Sequence, residues 1–319
     1  MVCCVKTAAL AGIKAQIVEV QVSIGAGLPA FVIVGLPDKA VNESRERVRA
    51  VFTALGLEFP HGRIIVNLTP SDLLKEGTHY DLPIALGLLG AMGSVDAAKL
   101  KGYLFMGALG LSGKVEAVAG VLPAAMRATA EKLGIACPFD NGGEAAWSGN
   151  PDILPVEHIL ELLNYFKGAT MIAPPQKPHI NRRGYTLDMA DVKGQESAKR
   201  ALLIAAAGGH NLLMVGPPGS GKTMLAERLN TILPEMTAEE ALETAMIHSV
   251  AGMLNNTIDF CRPFRAPHHS ASTPALVGGG RKGVPGEISL AHNGVLFLDE
   301  LPEFQRVTLD ALRQPLESK

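Results

Sequence analysis

The chain has 319 residues, 47% of them hydrophobic and 19% charged, enough for two globular domains with sizeable cores. Its net charge of −2 excludes a globally basic nucleic-acid binder, so any such contact has to come from local patches. The opening run is too short and mixed for a signal peptide and no 18-residue apolar stretch occurs, so a cytoplasmic protein without membrane contact is expected.

Ile17 to Ile24 alternates like a strand, Gly25 to Pro29 supply a turn, and Phe31-Val32-Ile33-Val34 reads as a buried strand. Pro37 to Leu55 changes to helical spacing, with Asp38 or Asn42 as cap and Val41, Val48, Val51, Phe52 and Leu55 on the apolar face. Arg45, Arg47 and Arg49 lie on this helix beside Glu43 and Glu46. They fit either a solvated, ion-paired face or a nucleic-acid or subunit contact. Arg63 to Leu68 is a further strand, and Tyr80 to Met92 a helix opened by Asp81 and Pro83. Leu104 to Val118 reads as strand–turn–strand around Ser112-Gly113, Pro123 to Leu133 as an Ala-rich helix, and residues 152–166 as a helix. Ala173-Pro174-Pro175-Gln176-Lys177-Pro178 then reads as a stiff linker. Cys3, Cys4, Cys137 and Cys261 lack metal-ligand spacing, and adjacent Cys3 and Cys4 diverge if extended. All four read as small hydrophobes in a reducing compartment.

Lys75-Glu76-Gly77-Thr78-His79-Tyr80-Asp81-Leu82-Pro83, Gly107 to Val115 and Ala119 to Ala125 together resemble the proteolytic domain of Lon-type proteases. Those enzymes use a Ser activated by a Lys. By the resemblance the Ser position falls near Asp81 and the Lys position within Leu122 to Ala125, where this chain has neither residue. Ser71, Ser112 and Lys114 would need a different geometry. The resemblance therefore implies a Lon-like domain without peptidase activity, retained for binding or assembly.

The second half is organised around Gly216-Pro217-Pro218-Gly219-Ser220-Gly221-Lys222-Thr223, which fits the phosphate-loop (Walker A) pattern without a mismatch. Asn211 to Val215 reads as the strand before it and Met224 to Leu229 as the helix after it. Glycines let the backbone curl its N–H groups into a nest for phosphate oxygens at a helix N-terminus. Lys222 would reach the β- and γ-phosphates of ATP, and Thr223 would offer its hydroxyl to Mg²⁺. Upstream, Ser197 to Ala207 is a helix ended by Gly208-Gly209. Downstream, Thr237-Ala238-Glu239-Glu240 is a capping box for a helix through Val250. Gly294 to Leu298 reads as a buried strand delivering Asp299 and Glu300 (a Walker B pattern) at its end. Asp299 would hold Mg²⁺, and Glu300 would act as general base on the attacking water. His268, His269 and His292 do not read as a metal set, because adjacent histidines diverge and no acidic third ligand has helical spacing. Gly278-Gly279-Gly280-Arg281-Lys282-Gly283 fits a basic pore loop gripping phosphates or a plain surface loop.

Those two motifs, with Cys261 to Ser272, Ala275 to Gly280, Pro285 to Gly294 and Leu301-Pro302-Glu303-Phe304, resemble the magnesium-chelatase-like AAA+ proteins of the ComM/YifB type over essentially the whole chain. The resemblance implies an α+β, Lon-protease-like domain (1–170), a Pro-rich linker (171–184) and a P-loop AAA+ three-layer α/β core (185–319). It makes Val192 and Gln195, in the Val-x-Gly-Gln segment, candidate contacts to the base; as bare residues they fit a helix N-cap equally well. It further implies an ATP-driven homo-hexameric motor on single-stranded or branched DNA, promoting branch migration in natural transformation. The alternative is a nucleotide-gated scaffold or regulatory binding module without motor activity. In the family the sensor asparagine, arginine finger and helical lid follow the point where this chain ends. Residues 185–319 by themselves are accordingly expected to lack a central strand, to pack poorly and to hydrolyse ATP weakly.

Overall fold

In a computed structural model, residues 2–176, 187–254, 256–279 and 283–314 are described. They fall into two units: Met1–His179 with Ser249–Thr257, and Ile180–His248 with Ile258–Lys319.

The first unit is built on a seven-stranded mixed sheet. Its strands are β1 (Val2–Ala11), β2 (Lys14–Gly25), β3 (Ala30–Val34), β4 (Arg63–Thr69), β5 (Tyr103–Phe105), β8 (Gly134–Pro138) and β9 (Ile153–Val156), in the order β3-β4-β2-β1-β5-β8-β9. β1, β2 and β4 pair antiparallel, while β1/β5, β5/β8, β8/β9 and β3/β4 are parallel. A small hairpin, β6 (Ala108–Leu109) with β7 (Val115–Glu116), matches the turn expected at Ser112-Gly113.

Side-chain alternation along the strands makes two cores. Val18, Val20, Val22, Phe105, Ala136 and Leu154 join one cluster, whereas Leu104, Met106, Ile135, Cys137 and Ile153, their neighbours on the same strands, join the other. The first cluster takes in α1 (Lys39–Ala54), α2 (Asp81–Ala91) and α6 (Ile159–Lys167). The second takes in α4 (Val121–Ala130) and α5 (Gly142–Ala146). A short α3 (Ala97–Leu100) follows α2.

α1 follows its sequence closely. Asp38 accepts from Val41 N at 2.7 Å, and Val41, Val48, Val51 and Phe52 are buried. All eleven residues of α2 are buried, as a helix apolar on every side requires. Its glycines permit a close approach to the sheet. A Cβ at Gly87 would lie 2.6 Å from Val22 Cγ2, and one at Gly90 would lie 2.5 Å from Cys3 Sγ. The three arginines of α1 have local partners: Arg45 and Arg47 bond within the unit, and Arg49 lies over the Phe59 ring at 5.2 Å.

The expectation of one helix over residues 152–166 needs correcting, and a strand with no counterpart in the sequence reading precedes it. Gly134–Pro138 is a fully buried strand, and Ile153–Val156 is a strand where a helix was expected to begin; the helix starts only at Ile159. Residues 249–257, far along the chain, belong to this unit through a buried network. Glu144, 2% exposed, accepts from Leu122 N (2.9 Å), Asn141 Nδ2 (2.8 Å) and the Ser249 hydroxyl. Gly120 N donates to Ser249 O at 2.9 Å, and Glu144 N donates to Asn256 Oδ1 at 3.0 Å. Burial raises the Glu144 carboxyl, and these donors oppose the rise.

The second unit holds α7 (Glu196–Gly208), α8 (Lys222–Glu227), α9 (Ala238–Val250) up to His248, α10 (Thr273–Val277), α11 (Glu287–Leu290) and α12 (Arg306–Ala311). Its strands come in short pairs: parallel β10 (Phe264–Arg265) with β13 (Val295–Leu296), and antiparallel β11 (Gly278–Gly279) with β12 (Val284–Pro285). The capping box opens α9: Glu240 N donates to Thr237 Oγ1 at 3.2 Å, and Thr237 N donates to Glu240 Oε2 at 2.9 Å.

Both strands expected beside the chemical motifs need correcting. Asn211 to Val215 forms no strand, and Leu213 and Val215 are 73% and 88% exposed. Gly294 to Leu298 is strand only at Val295–Leu296 and is half-buried throughout. Strand pairing is what hides such runs, and among the described residues only β10 pairs with β13 while none pairs with 211–215. Of the expected basic loop, Gly280, Arg281 and Lys282 lie outside the described residues, as does the linker from Lys177 onward.

Candidate nucleotide site

α8 begins at Lys222, and the loop before it turns through Gly219 (φ 76°) and Gly221 (φ 84°), conformations open to glycine. Gly221 is the N-cap of α8, so the first N–H groups of the helix face the loop. Lys222 Nζ donates to the carbonyls of Gly216 (3.0 Å) and Pro217 (3.1 Å), which puts the ammonium inside the loop.

Across the site, Thr223 Oγ1 donates to Asp299 Oδ2 at 2.9 Å, joining residues 76 positions apart. A hydroxyl beside a carboxylate is a hard oxygen pair, the donor chemistry that suits Mg²⁺. Asp299 Oδ1 also accepts from Glu300 N at 2.9 Å. Glu300 itself is left-handed (φ 53°), an unfavourable state for a residue bearing a side chain. A cavity of about 400 Å³ lies here, lined by Thr223, Phe264, His269, Phe297, Asp299 and Glu300 among others.

The parallel ladder explains this gathering. Phe264 sits opposite Val295 and Arg265 opposite Leu296, and Phe297 N donates to Arg265 O at 2.8 Å, so the segments that lead to His269 and Glu300 leave the ladder side by side. His269 Nδ1 lies 3.3 Å from Glu300 Oε2. Arg265 forks onto Glu287 (2.6 and 2.7 Å), which fixes the end of β10 and raises the arginine further.

Of the two candidate base contacts, Val192 is 2% exposed and clustered with Met189, Leu202 and Leu225. Gln195 is exposed and turns back to the loop, its Nε2 donating to Ser220 O at 2.9 Å.

In the first unit, Asp81 stands near where a Lon-type serine would be expected. It is fully buried and accepts from Arg47 Nε (2.6 Å), Arg47 Nη2 (2.9 Å), Leu109 N (3.2 Å) and the Ser44 hydroxyl. Leu122 to Ala125 are buried residues of α4, and Ser71 and Ser112 are exposed. Among the described residues no group of three or more His, Cys, Asp or Glu could hold a metal, and no helix is long and apolar enough to cross a membrane.

The family profile described as "Magnesium chelatase, subunit ChlI" matches residues 188–319, and that of "Subunit ChlI of Mg-chelatase" matches residues 18–141. The chain is 49% identical over 317 residues to the competence protein ComM of Haemophilus influenzae, covering 96% of this chain and 62% of that protein. It is 47% identical over 315 residues to the uncharacterized protein YifB of Escherichia coli, with coverage of 98% and 62%. The chain belongs to the magnesium-chelatase-like proteins of the ComM/YifB type. It spans about 62% of the length of those relatives.

For this ComM/YifB-type chain, the residue that sequence reasoning passed over at the site is His269, weighed there only as a metal ligand. The sequence carries no local signal for it: its place beside Glu300 depends on the pairing of Phe264 and Arg265 with Val295 and Leu296. Glu144 was also missed, because an acidic residue in a Gly/Ala-rich stretch carries no sequence sign of burial.

Proposed function

We propose that residues 216–223 bind ATP with Mg²⁺, and that the whole protein hydrolyses ATP as an AAA+ ATPase. One observation carries the reading: the hydroxyl of Thr223 and the carboxylate of Asp299 meet at 2.9 Å beside Lys222. Gly216, Pro217, Pro218, Gly219, Ser220 and Gly221 form the cradle for the phosphates, and Lys222 supplies its positive charge. Thr223 and Asp299 are the residues that would hold Mg²⁺. Bound Mg²⁺ would add positive charge at the terminal phosphates, where charge develops during transfer. Glu300 acts as general base, accepting a proton from the attacking water, and His269 is placed to fix the direction of its carboxylate.

For the whole protein we further propose a DNA motor, a homo-hexamer promoting branch migration during recombination. Its support is the name of the Haemophilus relative, a competence protein. The first domain, proposed as residues 1–170 with a linker at 171–184 and the ATPase region from 185, is taken as Lon-like and without peptidase activity. Asp81 is consumed by its ion pair with Arg47, and no lysine stands at 122–125.

The test is calorimetry with Mg²⁺ and ATP on this chain, with Lys222→Ala and Asp299→Asn beside it. Binding that disappears in Lys222→Ala is the expected result, and equal binding in both proteins would refute the site. In the full-length protein, Lys222→Ala should abolish both ATP turnover and branch migration. Turnover indifferent to DNA would instead favour a nucleotide-gated scaffold.

A further inference from the structure

We infer that Gln195 is a brace for the phosphate loop, acting on the triphosphate chain of the ligand and not on its base. The inference rests on the reading of residues 216–223 as a phosphate site and adds a positioning residue to it.

Three observations converge. The side chain of Gln195 crosses 25 residues of sequence to donate from Nε2 to Ser220 O at 2.9 Å. Gly221, the next residue, packs against the end of the Gln195 side chain: a Cβ there would lie 3.0 Å from Gln195 Nε2 and 3.2 Å from Met224 Cε, at φ 84°. Gln195 itself is left-handed (φ 57°, ψ 38°) directly after Gly194 (φ 68°), although it is not a glycine. A non-glycine residue keeps that conformation only where its surroundings hold it. Its own carbonyl accepts from Lys199 N at 3.0 Å, so the brace is fastened to the first turn of α7.

The peptide plane gives the bond its chemical meaning. In a trans peptide the carbonyl of one residue and the N–H of the next point in opposite directions. Holding Ser220 O toward Gln195 therefore turns the Gly221 N–H away from Gln195, making it a donor for a phosphate oxygen. If the peptide flipped, a carbonyl would face the anion in place of an N–H, and the nest would lose a donor and gain a repulsion. The brace thus sets the polarity of the loop at the residue just before Lys222. A group working in this way is indifferent to which base the nucleotide carries, whereas a base contact is not.

The experiment uses Gln195→Met, which keeps side-chain length and leaves the same backbone demand but cannot donate. Binding of ATP, GTP and inorganic tripolyphosphate is measured by calorimetry with Mg²⁺ on the parent chain and the variant. Amide exchange at Ser220, whose N–H donates to Pro217 O at 3.3 Å, is followed in both proteins without ligand. Loss of one hydrogen bond should weaken every probe that the parent binds by about three- to tenfold, by the same factor for each. Exchange at Ser220 should rise while that of α9 stays unchanged, which separates loosening of the loop from a general loss of folding. Weakening confined to ATP, with tripolyphosphate binding and exchange unaltered, would make Gln195 a base contact and overturn the brace. If the parent binds none of the probes, the nucleotide reading fails. The exchange rates then decide the brace alone: a rise supports it and no change overturns it.

Discussion

Asp81→Ala should cost the first unit about 4 kcal/mol, within the range for breaking a buried ion pair. The carboxylate is fully buried and takes two bonds from Arg47, one from Leu109 N and one from the Ser44 hydroxyl. Alanine removes all four acceptor contacts. Leu109 N and the Ser44 hydroxyl would remain buried without an acceptor, at about 1–3 kcal/mol each. The Arg47 side chain is 22% exposed, so water offsets most of its loss, and the middle of the range for the two stranded groups, about 4 kcal/mol, applies. Against a total stability of roughly 5–15 kcal/mol, this is a third or more for a marginal domain. The assay is urea unfolding followed through the fluorescence of Trp147, the chain's single tryptophan, which lies in the first unit. Asp81→Leu combined with Arg47→Met removes both charges and should be more stable than Asp81→Ala alone. A loss below about 1 kcal/mol for Asp81→Ala, or a double variant no better than the single one, would refute the assignment of Asp81 as a buried strut.

Burial lowers His79 to about 4 from 6.5, and its Nε2 must carry a proton because its partner at 2.8 Å is the Ala8 carbonyl. The folded pKa lies below the unfolded one, so the unfolded state binds the extra proton between them. Stability of the first unit is complete above pH 6.5 and should fall by about 3 kcal/mol by pH 4. His79→Gln should flatten that slope in Trp147-monitored unfolding. Glu144→Ala strands Leu122 N and the Ser249 hydroxyl and leaves Asn141 Nδ2 only its bond to Val118 O, and should cost about 2–4 kcal/mol by the same assay. Its limited proteolysis should open first at residues 249–257. In the full-length protein, Glu300→Gln should retain ATP binding and slow hydrolysis by about 10²- to 10⁴-fold in a steady-state turnover assay.

The sequence was most informative where one local signal was enough. α1 shows its cap at Asp38 and its buried face at Val41, Val48, Val51 and Phe52 within sixteen residues. The bend at Gly216 to Thr223 is likewise legible, since glycine and helix start coincide there. Ile153–Val156 was hidden because four apolar residues running toward a helix look like its first turn; only pairing with β8 makes them a strand. The same dependence on neighbours works in reverse at Asn211 to Val215, where an apolar run with no partner among the described residues forms no strand and stays exposed. Gln195 shows a subtler limit. The family resemblance pointed it at the nucleotide base, but which part of the site it serves depends on the left-handed turn that aims its side chain. The pairing of Asp81 with Arg47 bridges 34 residues and could be found only once α1 and α2 were placed together.

Gly90 rests over the Cys3 sulfur so closely that a Cβ would stand 2.5 Å from it, and Cys3 is a free cysteine with 1% exposure and a raised thiol. No reagent can reach that sulfur while α2 lies on the sheet. Cys3 is therefore a built-in clock: with alkylating agent in excess, its labelling rate becomes the rate at which the helix lifts. Cys4, next along β1 and half-buried, faces the other way and reports labelling on the same molecule from the opposite face of the sheet.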